Sequence, residues 1–315
     1  MNQVAYVFPG QGSQSVGMMT GWGKHQPVVE EVFAEAADTL GYNLWKVVRE
    51  GPESTLNQTE VTQPAMLCCG VASWRITQAA GLPAPHIMAG HSLGEYTALV
   101  CSGSLELASA VHLVSIRGRL MQAAVPADEG AMAAVIGLDD ENVIEACSRV
   151  TDGVVEAVNF NAPGQVVIAG HRHAVDKALS QAKQLGAKRA LPLPVSVPSH
   201  CSLMKDAARQ LAAELEGVDL QMPSVPVVHN QNADVAGSID EIRERLQMQL
   251  YQPVKWVASV QYIQRCGVGT LIECGPGKVL TGLTRRIERS MSAYPVFDEG
   301  SLDHSLDAIQ LLHEE

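Results

Sequence analysis

Apolar and polar positions alternate along this chain in two rhythms. Short apolar runs at Val4–Phe8, His86–Ala89, Val225–Val228 and Thr270–Cys274 read as strands. Between them the spacing lengthens to that of helices, over Val28–Leu40, Pro64–Ala79 and Leu105–Ala124. The last is the most legible. Ala110, Leu113, Val114, Leu120 and Met121 form an apolar stripe on it, while His112, Ser115, Arg119 and Gln122 face elsewhere. Further helices are predicted over Ile239–Leu250, Val254–Arg265 and Lys278–Arg289. Alternating strand and helix of this kind predicts an α/β domain.

Between residues 125 and 197 the grammar changes. Ala131–Leu138 is strand-like and Asp139–Val150 is a helix opened by acidic residues. Val154–Asn159 and Gln165–Ala169 make a strand pair around Asn161-Ala162-Pro163-Gly164. Ala174–Leu185 is helical and Arg189–Val195 extended. The order β-α-β-β-α-β is that of a ferredoxin-like module. Inserted at 125–197 into a main domain of residues 1–124 and 198–315, it would wall one side of a cleft.

The chemistry concentrates at Gly90-His91-Ser92-Leu93-Gly94-Glu95-Tyr96, a Gly-x-Ser-x-Gly pentapeptide between an expected strand and an expected helix. Gly90 and Gly94 lack the Cβ atoms that would clash in so sharp a turn, and Ser92 is pushed out at its apex. The Leu93 amide would lie at a helix N-terminus, where an oxyanion is favoured. The plainer reading is a small-residue turn holding a chance serine. A nucleophilic serine needs a base in hydrogen-bond reach, and the chain offers ten histidines. His91 adjoins Ser92, but a strand-to-helix elbow points neighbouring side chains apart. His171 and His173 lie in the insert, and His25, His304 and His313 sit in polar surroundings. His200, in Pro198-Ser199-His200-Cys201, stands where the chain returns from the insert to the main domain, at the rim of the inferred cleft. Cys201 is a weaker alternative nucleophile, with no glycine elbow to present it. Arg117 falls on the inward face of its helix. It is read either as a snorkelling side chain or as a buried guanidinium that requires an anion.

Composition narrows the function classes. Of 315 residues, 46% are apolar and 18% charged, as in a folded globular enzyme. Thirty-four acidic against 22 basic residues give a net charge of −12. That disfavours nonspecific binding to nucleic acid or to a membrane surface, and an acidic partner would need a local basic patch. Lys278, Arg285 and Arg286, with Lys188 and Arg189 on the insert, are candidates for one. Seven cysteines without framework spacing read as reduced thiols of a cytoplasmic protein. The start Met1-Asn2-Gln3-Val4 is not a signal peptide, and no apolar run reaches membrane-spanning length.

Taken with Phe8-Pro9-Gly10-Gln11-Gly12-Ser13-Gln14, Gln63-Pro64-Ala65, Arg117-Gly118, Asn159–Gln165, Val197–His200 and Gly275–Lys278, the pentapeptide resembles bacterial malonyl-CoA:acyl-carrier-protein transacylases along nearly the whole chain. The resemblance implies an α/β-hydrolase-like main domain carrying the ferredoxin-like insert. It implies a malonyl group passed from malonyl-CoA to holo acyl carrier protein through an ester on Ser92, with His200 as base and no cofactor or metal. The Gln11 and Leu93 amides would form the oxyanion hole and Arg117 would pair with the malonyl carboxylate. The backbone carbonyl of Gln249 would orient the base, and Gln63, Asn161 and Gln165 would line the pocket. A serine thioesterase or esterase remains an alternative, as does an acyltransferase of polyketide synthesis or malonate decarboxylation. The freestanding length favours fatty acid synthesis.

Overall fold

The computed structural model describes residues 3–126, 128–195 and 197–314, with side chains as far as Leu311. Met1, Asn2 and the His313 side chain, all part of the sequence reading, lie outside the described residues. The chain opens with β1 (Gln3–Phe8), α1 (Gln26–Leu40), α2 (Leu44–Glu50), α3 (Glu53–Leu56) and α4 (Thr59–Ala79). Next come β2 (Ile87–Gly90), α5 (Gly94–Cys101) and α6 (Leu107–Ala123). A second unit follows with β3 (Gly130–Ile136), α7 (Asp140–Ser148), β4 (Val155–Ala162), β5 (Gln165–His171), α8 (Arg172–Gln184) and β6 (Arg189–Pro192). The chain then returns through α9 (Lys205–Glu216), β7 (Val227–His229), β8 (Asp234–Val235), α10 (Ile239–Gln249) and α11 (Trp256–Arg265). It closes with β9 (Val268–Cys274), α12 (Val279–Ile287), β10 (Ser292–Val296) and α13 (Glu299–Glu314).

Two sheets result. The larger has the order β10-β9-β1-β2-β7-β8, parallel except for β8. Its central strands β1, β2, β7 and β9 are covered on both faces, which is why they read as unbroken apolar runs. Along β1, Val4, Tyr6 and Phe8 join the core against α1, α4 and α6, while Ala5 and Val7 join the core against α11 and α12. The smaller sheet is antiparallel with the order β4-β5-β3-β6, its own core closed by α7 and α8. It is sewn to the main body along β4. Val254 donates to the Val158 carbonyl at 2.8 Å, and Phe160 donates to the Val254 carbonyl at 3.0 Å.

Helix α4 begins five residues before the predicted start at Pro64. Proline favours the first helical turn, but here packing overrides it. Thr59, Val61 and Thr62 are buried, and α6 crosses so closely that a methyl group on Gly118 would lie 2.6 Å from the Thr59 carbonyl oxygen. Strand β10 carries Pro295, which hides a strand in sequence and is tolerated because β10 is an edge.

The turn at the C-terminal end of β2 depends on close approach of backbone to backbone. A Cβ on Gly94 would sit 2.0 Å from the Phe8 carbonyl oxygen, and one on Gly90 would sit 1.9 Å from the Gly94 carbonyl. Neither neighbour is a side chain that could swing away. Gly94→Ala is therefore expected to cost at least about 1–3 kcal/mol through forced overpacking, read as a lowered urea midpoint. An unchanged midpoint would show that the elbow has slack.

Candidate active site

Ser92 occupies the apex of this turn in the left-handed region, with φ 52°. For a residue with a Cβ that conformation is strained by on the order of 1–3 kcal/mol. It is held from three sides. The Ser92 N–H donates to Asn230 Oδ1 at 2.6 Å, and Asn230 Nδ2 donates to the Gly90 carbonyl at 2.6 Å. Gln249 Nε2 donates to the Ser92 carbonyl at 2.9 Å. The Pro9-Gly10-Gln11 loop after β1 packs onto the same turn, near enough that a Cβ on Gly10 would meet the His91 carbonyl oxygen at 2.5 Å. This places Gln11 and Leu93 on the wall of one cavity of about 510 Å³, with Ser92, Arg117 and His200. Neither the Gln11 nor the Leu93 amide donates to another protein group among the described residues. Both remain available to an oxyanion.

His200 comes from the other side, from the segment leading into α9. Its Nε2 lies 2.8 Å from Ser92 Oγ and its Nδ1 lies 2.6 Å from the Gln249 carbonyl oxygen. A carbonyl only accepts, so Nδ1 carries the proton and Nε2 turns its lone pair to the serine. His200 is also left-handed, at φ 66°, fixed by its N–H donating to the Leu250 carbonyl at 2.9 Å. The end of α10 thus holds both the imidazole and the backbone of His200.

Arg117 is only 1% exposed, which excludes snorkelling to water. Its guanidinium donates to Gln63 Oε1 at 2.8 Å and Gln249 Oε1 at 2.9 Å, and lies 3.4 Å from Ser92 Oγ. It also covers the Tyr96 ring at 5.3 Å. Its Nε has no partner, and among the described residues no carboxylate touches it. A buried cation beside a serine–histidine pair, with donors to spare, fits an acyl group that carries its own negative charge.

Comparison with known proteins agrees with that chemistry. The family model described as an acyl transferase domain matches residues 5–298. The chain belongs to the acyl transferase family. It is 53% identical over 308 residues to the malonyl CoA-acyl carrier protein transacylase of Escherichia coli K12, with 98% of this chain and all of that protein covered. The enzyme of the same name from Bacillus subtilis is 42% identical over 317 residues, covering 100% and 99%. A malonyl-transacylase solved in complex with its holo type II PKS acyl-carrier protein superposes with a TM-score of 0.95 at 53% identity, covering 97% of this chain and 99% of that one.

Within this acyl transferase the remaining residues singled out in sequence fall in different places. Gln63 touches Arg117. Asn161 does not line the cavity; its Oδ1 accepts from His91 Nε2 at 2.8 Å and so ties the turn to the smaller sheet. His91 is accordingly turned away from Ser92, and burial lowers its pKa. Gln165 opens β5 at the hairpin, pairs with Arg286 of α12, and lies outside the wall of this cavity. The hairpin after Ala162 carries it outward, whereas Asn159, two positions before Asn161 on β4, faces the cavity. His171 and His173 stack on each other in the smaller unit, away from the cavity. Cys201 is fully buried, its Sγ against the Pro198 carbonyl, and burial pushes its thiol up to about 12. That disfavours a thiolate. Sequence reasoning passed over Glu95, His229 and Asn230. The available signal was position, since His229 and Asn230 stand at the C-terminal end of β7, where sites in parallel sheets gather.

Burial, reinforced by the Arg117 charge, pushes the His200 pKa down to about 3, and the Gln249 carbonyl only partly opposes this. The imidazole is then neutral, and able to accept a proton, throughout the range above that value. The pH profile of kcat/KM with malonyl-CoA is expected to stay flat from about pH 8 to about pH 5, since this quantity reports the free enzyme. An acid limb centred near the ordinary histidine value of ~6.5 would contradict it.

Proposed function

We propose that this chain transfers the malonyl group of malonyl-CoA to the phosphopantetheine thiol of holo acyl carrier protein in two half-reactions, through an ester on Ser92. One observation carries the reading: the buried Arg117 guanidinium, touched by no carboxylate among the described residues, lines the cavity beside the Ser92–His200 pair. His200 Nε2 takes the proton from Ser92 Oγ as the oxygen attacks the thioester carbonyl. The resulting oxyanion accepts from the Gln11 and Leu93 amides, each worth about 3 kcal/mol in comparable sites. As the tetrahedral intermediate collapses, CoA leaves as a thiol, protonated by the His200 imidazolium. The carrier's phosphopantetheine thiol then enters, gives its proton to His200 and attacks the malonyl ester, and Ser92 recovers its proton on release.

The names of the relatives support this activity, and in one solved relative the carrier is a type II PKS acyl-carrier protein. A carrier of fatty acid synthesis is the principal acceptor in our reading, and a polyketide carrier is a second. Exposed Lys278, Arg285, Arg286, Lys188 and Arg189 are its proposed contacts on an otherwise acidic protein. We further assign residues 1–124 and 198–315 to an α/β-hydrolase-like domain and 125–197 to a ferredoxin-like insert. The β-α-β-β-α-β order with strands arranged β4-β5-β3-β6 supports the insert. The reaction as written uses no cofactor or metal. Seven unpaired cysteines suit a reducing cytoplasm, and no helix among the described residues is long and apolar enough to cross a membrane.

Arg117→Ala tests the reading. Two parallel hydrogen bonds to the malonyl carboxylate are lost, whereas acetyl-CoA never makes them. Malonyl transfer is expected to fall by at least about a hundredfold, within the ~2–5 kcal/mol range for breaking a buried charge pair, while acetyl transfer falls little or rises. The measurement is kcat/KM for both thioesters. Equal loss on both would make Arg117 a structural residue and remove the argument for a dicarboxylic acyl group.

A further inference from the structure

The Gln249 side chain does work that its backbone role does not explain. Its peptide carbonyl holds His200, yet its amide group sits between two buried charges. Oε1 accepts from Arg117 at 2.9 Å, and Nε2 donates to Glu95 Oε2 at 2.8 Å and to the Ser92 carbonyl at 2.9 Å. Glu95 is wholly buried and anchored from the far side, with His229 Nδ1 2.7 Å from Oε1 and the Asn230 N–H donating to Oε2 at 2.8 Å. These partners leave the amide one orientation, because its oxygen faces a cation and its nitrogen faces two acceptors. The counter-charge of Arg117 is therefore one side chain away and not in contact with it.

We propose that Gln249 is a specificity-determining positioning residue: an amide spacer that gives Arg117 a buried counter-charge in Glu95 while keeping any protein carboxylate off the guanidinium. A carboxylate placed directly on Arg117 would fill the bidentate edge and compete with the acyl carboxylate. With no acceptor there, the guanidinium would lose one of the two amide oxygens that set its plane. The spacer avoids both. Gln63 holds NH1 and Gln249 holds NH2, each through a neutral amide oxygen, so that no carboxylate among the described residues occupies the guanidinium. This inference rests on the malonyl transfer proposed above.

Two variants test it, because both keep the residue 249 carbonyl that orients His200. Gln249→Met removes the acceptor at nearly constant shape, and Gln249→Glu puts a carboxylate on Arg117. In each, the ratio of kcat/KM for malonyl-CoA to that for acetyl-CoA is expected to fall at least tenfold below wild type. Thermal unfolding establishes that each variant is folded, and the Glu variant carries the test if the Met variant is not. A ratio kept within threefold of wild type in a folded variant, or equal loss on both thioesters, would overturn the spacer role and leave Gln249 as a structural residue. A wild-type enzyme that does not prefer malonyl-CoA would instead overturn the underlying reading of Arg117.

Discussion

A guanidinium taken out of water costs several kcal/mol unless its donors and its charge are answered, and much of this molecule is arranged around one. Arg117 is answered by amide oxygens, by the face of Tyr96 and, at one remove, by Glu95. The residues that answer it are the same ones that shape the turn at Ser92. Gln249 holds the Ser92 carbonyl, Asn230 holds the Ser92 amide, and Glu95 anchors both Gln249 and Asn230. The charge that would select the acyl group and the backbone that would present the serine therefore share one buried network. Disturbing either end is felt at the other, so effects of mutations within it will not add.

Burial and the same charge together set the state of His200, the proposed base. Proximity of Arg117 and burial both favour neutral imidazole, and the Gln249 carbonyl selects the tautomer with a free Nε2. An acidic third member would favour the imidazolium at rest. A carbonyl orients the ring more neutrally, in keeping with the proposed base, which would take a proton and give it back in each half-reaction. The left-handed backbone at both Ser92 and His200 stores strain that the surrounding hydrogen bonds hold in place.

How much of this was legible in the sequence varies with the kind of signal. The strand–turn–helix around Ser92 could be read because glycine spacing and apolar runs are local. The strands of the smaller unit were found for the same reason, though their order in the sheet, β4-β5-β3-β6, is set by pairing and not by any one segment. Helix α9 was missed despite Ala207, Ala208, Leu211 and Leu215 on one face, and β10 was missed behind its proline. The Arg117 alternatives stayed balanced because periodicity places a side chain on a face but does not say whether water reaches it. The place of Gln165 was not legible for a related reason, since a hairpin decides in three dimensions which of its residues face a cavity. Glu95 was in full view inside the motif, but its partners at His229, Asn230 and Gln249 lie more than a hundred residues away.

The central claim is a malonyl ester on Ser92 that the carrier protein can collect. The most direct test is the intact mass of the protein after incubation with malonyl-CoA, followed by peptide mapping and a chase with holo acyl carrier protein. The account predicts one malonyl group per chain, located on Ser92 and moved to the carrier on the chase. An adduct mapped to another residue, Cys201 included, or release as free malonate with none on the carrier, would contradict it.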